Sequence, residues 1–186
     1  DYFQVQVSDN YTILHADDGR PSLPVISKII ALPIGCNIDI KIVKSTTQEY
    51  NLERMGIKRK MYPIQPSLSK SNNGNSGIVV DSKIYLANKY YKNELIAVEE
   101  MGTMRGTRLA RLTISPFEYN PITNSLIVYR HLLAEITFGN VDAETTVTNL
   151  KSTYSAYYNM HTINVANAKA YSNVIDLFSD VIPPKY

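Results

Sequence analysis

A chain of 186 residues, 44% of them hydrophobic, is long enough to bury a sizeable core as one domain and does not have the composition of a disordered segment. A formal net charge of +2, with the signs mixed along the chain, lacks the strongly basic face of a nucleic-acid binder. No apolar run approaches the roughly 20 residues that cross a bilayer, so we expect a soluble chain with no membrane partner.

The chain begins at Asp1 without a Met or a signal peptide, as a processed or trimmed secreted product would. Residues 2–7 alternate and predict a strand, and Asp17-Asp18-Gly19-Arg20-Pro21 is a turn cluster. Pro24 leads into a largely apolar strand over 25–32, ended by Pro33 and Gly35. Over 37–43, Ile38, Ile40 and Ile42 share one face and Asp39 and Lys41 the other, the clearest period-2 pattern present. Cys36, the single cysteine, cannot close an internal disulfide and is read as a small buried apolar side chain.

Residues 44–57 are ambiguous, with one further strand around 48–52. From Lys58 to Gly77 the chain is basic, then rich in Pro, Ser, Asn and Gly, and predicts a long exposed loop. Residues 83–86 predict a short strand, and 90–100 contain another. Gly102 and Gly106 bracket a basic corner with Arg105 and Arg108. The strand that follows over 109–114 puts Ala110, Leu112 and Ile114 on one face. Asn120-Pro-Ile-Thr-Asn124 then supplies a reversal, and strands over 126–129 and 132–138 read as a β-hairpin. Beyond residue 140 the pattern weakens, and short helices are expected around 153–161 and 166–172. Many short strands with Pro, Gly and Asn punctuation predict a mainly all-β chain: an antiparallel, jelly-roll-like β-sandwich over 1–140, then a 141–186 segment with short helices.

Catalytic chemistry is not in evidence. His15, His131 and His161 lack zinc-binding spacing, and neither a nucleophile elbow nor a phosphate-binding glycine loop occurs. Glu99 and Glu100 are adjacent and on a strand point to opposite faces, which makes a poor acid–base pair. We expect neither an enzyme nor a cofactor or metal. Arg105 has two readings: it presents its guanidinium to a partner, or it caps internal carbonyls and pairs with Glu99 or Glu100.

Several ordered motifs nevertheless resemble one family. Residues 20–35 (RPSLPVISKIIALPIG), Tyr50-Asn-Leu, residues 61–71 (MYPIQPSLSKS) and Met101-Gly-Thr-Met-Arg-Gly106 are similar to the N-terminal prodomain of gingipain-type cysteine peptidases, most of all the lysine-specific branch. The resemblance runs from about Gly19 to Phe138. It implies a β-sandwich prodomain that helps a following catalytic domain fold and holds it latent. The precursor would be exported by Bacteroidetes through the periplasm and the type IX route, and the partner would be the cognate peptidase catalytic domain.

Inhibition would then be substrate mimicry, with a basic side chain in the peptidase's specificity pocket. By the resemblance, the inhibitory loop falls around residues 90–95. Lys92 is the first choice for the pocket, Lys89 the next, and Asn93 sits nearest the corresponding arginine of the arginine-specific relatives. Glu94, Arg105 and Arg108 are further interface candidates. Lys60, Lys70 and Lys185 are expected processing sites, the last in the Pro183-Pro-Lys-Tyr186 junction. Exposed strand edges allow a homodimer of the isolated domain. The competing reading is a secreted carbohydrate-binding β-sandwich, suggested by 14 tyrosines, and a third is a structural domain of a secreted assembly. Saturable glycan binding without any peptidase would favour the sugar binder.

Overall fold

The computed structural model describes residues 2–7, 11–13, 17–67, 77–104, 106–150 and 172–176. In chain order the strands are β1 (Tyr2–Phe3), β2 (Tyr11–Ile13), β3 (Pro24–Leu32), β4 (Asn37–Asn51), β5 (Lys60–Met61), β6 (Tyr91–Lys92), β7 (Ile96–Met104), β8 (Thr107–Ile114), β9 (Phe117–Asn120), β10 (Ser125–Gly139) and β11 (Ser172–Asp176). Helix α1 (Ser82–Tyr85) lies between β5 and β6, and α2 (Ala143–Leu150) between β10 and β11. One sheet has the order β2-β3-β8-β7. A second has β11-β10-β9-β6, with β4 also paired to β10, and β1 and β5 form a small parallel pair. The mainly-β, antiparallel class expected from the sequence is the one the chain adopts.

The chain forms two compact units: Asp1–Ile26 with Thr47–Leu95 and Ser115–Tyr129, and Ser27–Thr46 with Ile96–Ile114 and Arg130–Tyr186. In the first, Leu23, Leu52, Met61, Phe117, Tyr119 and Leu126 make the core. Tyr11 of one sheet meets Phe117 of the other with ring centroids 6.1 Å apart. A polar knot runs through this core. The fully buried Tyr119 donates its hydroxyl to Asn124 Oδ1 at 2.8 Å and accepts from the Met61 amide at 3.2 Å. Tyr85 donates to the Met61 carbonyl at 2.6 Å, and burial pushes the Tyr85 hydroxyl well up. Asn124 Nδ2 donates to the Ile57 and Arg59 carbonyls at 2.7 and 3.2 Å. Asn124 also takes the left-handed backbone conformation, φ +46°, that closes the β9–β10 hairpin, which Asn tolerates better than most residues.

That knot corrects the expected exposed loop over 58–77. Residues 60–64 are integrated: the Tyr62 amide donates to the Phe3 carbonyl, the Ser22 amide to the Tyr62 carbonyl and the Ile64 amide to the Arg20 carbonyl. Met61, Pro63 and Ile64 are buried, because their apolar side chains outweigh the turn-forming residues around them. Gly19 fastens the same region. Its amide donates to the Ile64 carbonyl at 2.6 Å and its carbonyl accepts from the Asp81 amide at 2.9 Å. At φ +83°, a Cβ there would sit 2.7 Å from the Asp81 nitrogen.

Other expectations change too. The strand predicted over 83–86 is instead α1, whose N-cap Asp81 accepts from the Lys83 amide. Four residues with one β-branched member do not distinguish the two states by pattern, and the cap decides. Strand pairing over 2–7 is confined to β1. The strand expected around 48–52 is the continuation of β4. The hairpin expected between 126–129 and 132–138 is one continuous strand, β10, because Arg130 and His131 sit on a pleat without breaking it. The true hairpin partner is β9, paired from Asn120↔Ser125 to Phe117↔Val128. Of the helices expected around 153–161 and 166–172, all but residue 172 lies outside the described residues, and Ser172 opens a strand instead.

In the second unit, β7 and β8 form an antiparallel hairpin with a bulge between Glu100 and Gly102. Gly102 has φ +112°, a conformation that favours glycine. Asp142 caps α2 by accepting from the Thr145 amide at 3.0 Å, and that bond holds its carboxyl below the usual range. Thr146 Oγ1 accepts from the Ile34 amide at 2.9 Å, pinning the helix to the turn between β3 and β4.

Candidate functional site

The sequence points to two basic places, and their geometry differs. Lys92 stands on β6, which is an edge of its sheet. Tyr91 pairs with Tyr119 and Lys92 with Glu118, so Tyr91 packs toward the core while Lys92 takes the opposite face. Only two residues pair here, so the strand needs fastening on both sides. Asn120 Nδ2 donates to Asn88 Oδ1 at 2.9 Å, Tyr90 to Glu49 Oε1 at 2.6 Å, and the Ser115 amide to the Leu95 carbonyl at 2.9 Å. Tyr91 also donates to Asn93 Oδ1 at 3.1 Å, leaving Asn93 half-buried. Lys89 and Glu94 are exposed on either side.

The Lys92 side chain is 61% exposed, and its Nζ lies 3.5 Å from Glu118 Oε1, whose side chain is 12% exposed. The same oxygen accepts the Tyr129 hydroxyl at 2.8 Å. Burial, then the bond to this carboxylate, pushes the Tyr129 hydroxyl up to about 12, so it stays protonated and donating. Sequence reasoning missed Glu118 and Tyr129. The one available signal was Phe117-Glu-Tyr-Asn120 immediately before the Pro/Asn turn, which marks a strand with a charged residue between two aromatics.

Arg108 is held differently. Its Nε and Nη2 donate to the two carboxylate oxygens of Glu100 at 2.6 and 2.7 Å. Its Nη1 reaches the Cys36 carbonyl at 2.9 Å, the Pro33 carbonyl at 3.4 Å and Cys36 Sγ at 3.4 Å. The carbonyl-capping and Glu-pairing expected of Arg105 is thus what Arg108 does; Arg105 itself lies outside the described residues. Glu99 pairs instead with Arg111 at 3.3 Å. Cys36 is buried as expected, and that burial raises its thiol against the opposing pull of Arg108. Lys60 lies half-buried in β5, while Lys70 and Lys185 fall outside the described residues.

Among the described residues, no cluster of three His, Cys, Asp or Glu side chains is arranged to hold a metal ion. None of the described helices is long and apolar enough to cross a membrane. What the Lys92 site offers is a cation on a short, fastened edge strand, which suits recognition.

Comparison with known proteins identifies the family. A family model described as Propeptide_C25 matches residues 3–169. The chain belongs to the C25 propeptide family. As such a propeptide it is the non-catalytic part of a C25 peptidase precursor. It is 32% identical over 162 residues to Lys-gingipain of Porphyromonas gingivalis, covering 87% of this chain and 9% of that protein. The propeptide therefore spans between about a tenth and a fifth of the length of the curated relatives it matches. Gingipain R1 of the same organism is 21% identical over 145 residues, covering 76% of this chain and 14% of that protein.

Among solved structures, one concerned with zymogenic latency of gingipain K from P. gingivalis superposes with a TM-score of 0.64 at 34% identity, covering 69% of this propeptide and 70% of that chain. A complex of the P. gingivalis RgpB pro- and mature domains gives a TM-score of 0.64 at 18% identity, covering 87% and 85%, which bears on the fold alone.

Proposed function

We propose that this propeptide keeps a gingipain-like cysteine peptidase latent by placing the Lys92 ammonium in the peptidase's specificity pocket, and that it assists folding of the same catalytic domain. The observation that carries the reading is the Lys92 side chain itself, 61% exposed on an edge strand and held by one distant oxygen. An edge strand offers main-chain donors and acceptors to an extended cleft, so backbone bonds would supply affinity and the lysine specificity. The fastened backbone from Asn88 to Leu95 supports the rest, since a loop already ordered loses little entropy on docking. Lys89 and Glu94 would flank the cleft. The propeptide would travel with a secreted precursor and be removed by proteolysis.

The test is titration of the purified propeptide into its mature catalytic domain, reading cleavage of lysyl and arginyl peptides. Stoichiometric loss of one activity is expected. Full activity at excess propeptide, with the catalytic domain properly folded, would rule out the inhibitor role.

A further inference from the structure

The face of β6, β9 and β10 that carries Lys92 also carries what opposes its release. Lys92 and Glu118 are cross-strand partners in register. Ile127 lies opposite Glu118 on the next strand, so Tyr129, two residues further, is on the same face and reaches diagonally to the carboxylate. Glu118 Oε1 is thus shared by two donors, the phenol at 2.8 Å and the ammonium at 3.5 Å. An ammonium seated in a peptidase pocket cannot remain beside an oxygen on its own sheet, so that contact exists only in the free propeptide. An interaction present before docking and absent after it weakens docking by its own free energy.

Resting on the Lys92 reading above, we propose that Glu118 is a built-in competitor for Lys92, with Tyr129 setting its strength. When the lysine leaves, the phenol remains on the carboxylate and keeps this mostly buried charge hydrogen-bonded. Without the phenol, Glu118 would depend on the lysine and hold it harder. The device moderates inhibition, which suits an inhibitor that must eventually come off.

The experiment measures the inhibition constant against the mature lysyl-cleaving catalytic domain for the wild-type propeptide, E118Q, Y129F, K92A and the two double variants with K92A. Thermal unfolding of each variant establishes the folded fraction. Because a single 3.5 Å contact to a lysine that is 61% exposed is worth little, E118Q should tighten inhibition by about two- to five-fold, and Y129F should weaken it by a similar factor. Neither change should alter the constant in the K92A background. Glu118→Asp, which withdraws the carboxylate by one methylene, should act like E118Q but less and covers the case in which E118Q folds poorly. Unchanged or weaker inhibition by folded E118Q or E118D overturns the proposal, as does an equal shift with and without Lys92. K92A inhibiting as well as wild type overturns the Lys92 reading itself, and the competitor with it.

Discussion

Two cations of this molecule each face a glutamate, and the difference between them separates scaffold from signal. Arg108 makes a bidentate pair at 2.6 and 2.7 Å and caps backbone carbonyls with its remaining nitrogen, its side chain only 19% exposed. Lys92 has one oxygen at 3.5 Å and is 61% exposed. A guanidinium whose three nitrogens are all engaged by Glu100 and the Cys36 and Pro33 carbonyls fixes the hairpin to the turn at residues 33–36. A lysine on a single long contact can leave. Both positions read as basic in the sequence, and only the count of acceptors around each tells them apart.

The comparison breaks most visibly at Lys92. K92A should weaken inhibition of the cognate peptidase by about 30-fold or more, as loss of a central anchor does, while the thermal midpoint stays within about a degree of wild type. A drop in midpoint with inhibition intact would exchange the two roles. R108A should do the opposite. It leaves the part-buried Cys36 carbonyl without its Arg108 donor, which costs about 1 kcal/mol of stability and a few degrees of midpoint. Inhibition per folded molecule should stay unchanged, and inhibition titrations corrected for folded fraction will check it.

The smallest effect is on acid stability. The hydrogen bonds from Arg108 hold the Glu100 carboxyl below its ordinary value. A carboxyl depressed in the folded state binds fewer protons there than when unfolded, so its contribution is fully present above the unfolded value and is lost as the pH falls through the folded one. Denaturant midpoints measured downward from about pH 5 should therefore decline, and R108A should show a shallower decline.

Much of the scaffold was legible because it follows simple periodicity. Pro24–Leu32 is an apolar run bounded by prolines, and Ala110, Leu112 and Ile114 alternate on a buried face. Where the expectation failed, long-range bonds decided. Residues 60–64 carry loop-like neighbours in sequence, yet Tyr119 and Tyr85 from distant segments hold Met61, and Asn124 holds Ile57 and Arg59 just before it. The 37–43 alternation survives at Ile38 and Ile40, whereas Ile42 is 47% exposed among the described residues. At the proposed site, Lys92 was singled out through the family resemblance, but Glu118 was not. Its role depends on the β6–β9 register, and a two-residue strand leaves no periodic trace.

Gly19 holds Ile64 with its amide and Asp81 with its carbonyl, so the two flanks of the intervening stretch are moored to one residue. A scission after Lys70 would still leave the two polypeptides joined by Asp81 on Gly19, by Tyr85 and Tyr119 on Met61, and by the pairing of β3 with β8 and β4 with β10, so they should not part. The nicked propeptide would run as one particle in native sizing and as two bands once denatured. Under the proposed latency, one cut in that stretch would break the chain without lifting the inhibitor off its peptidase.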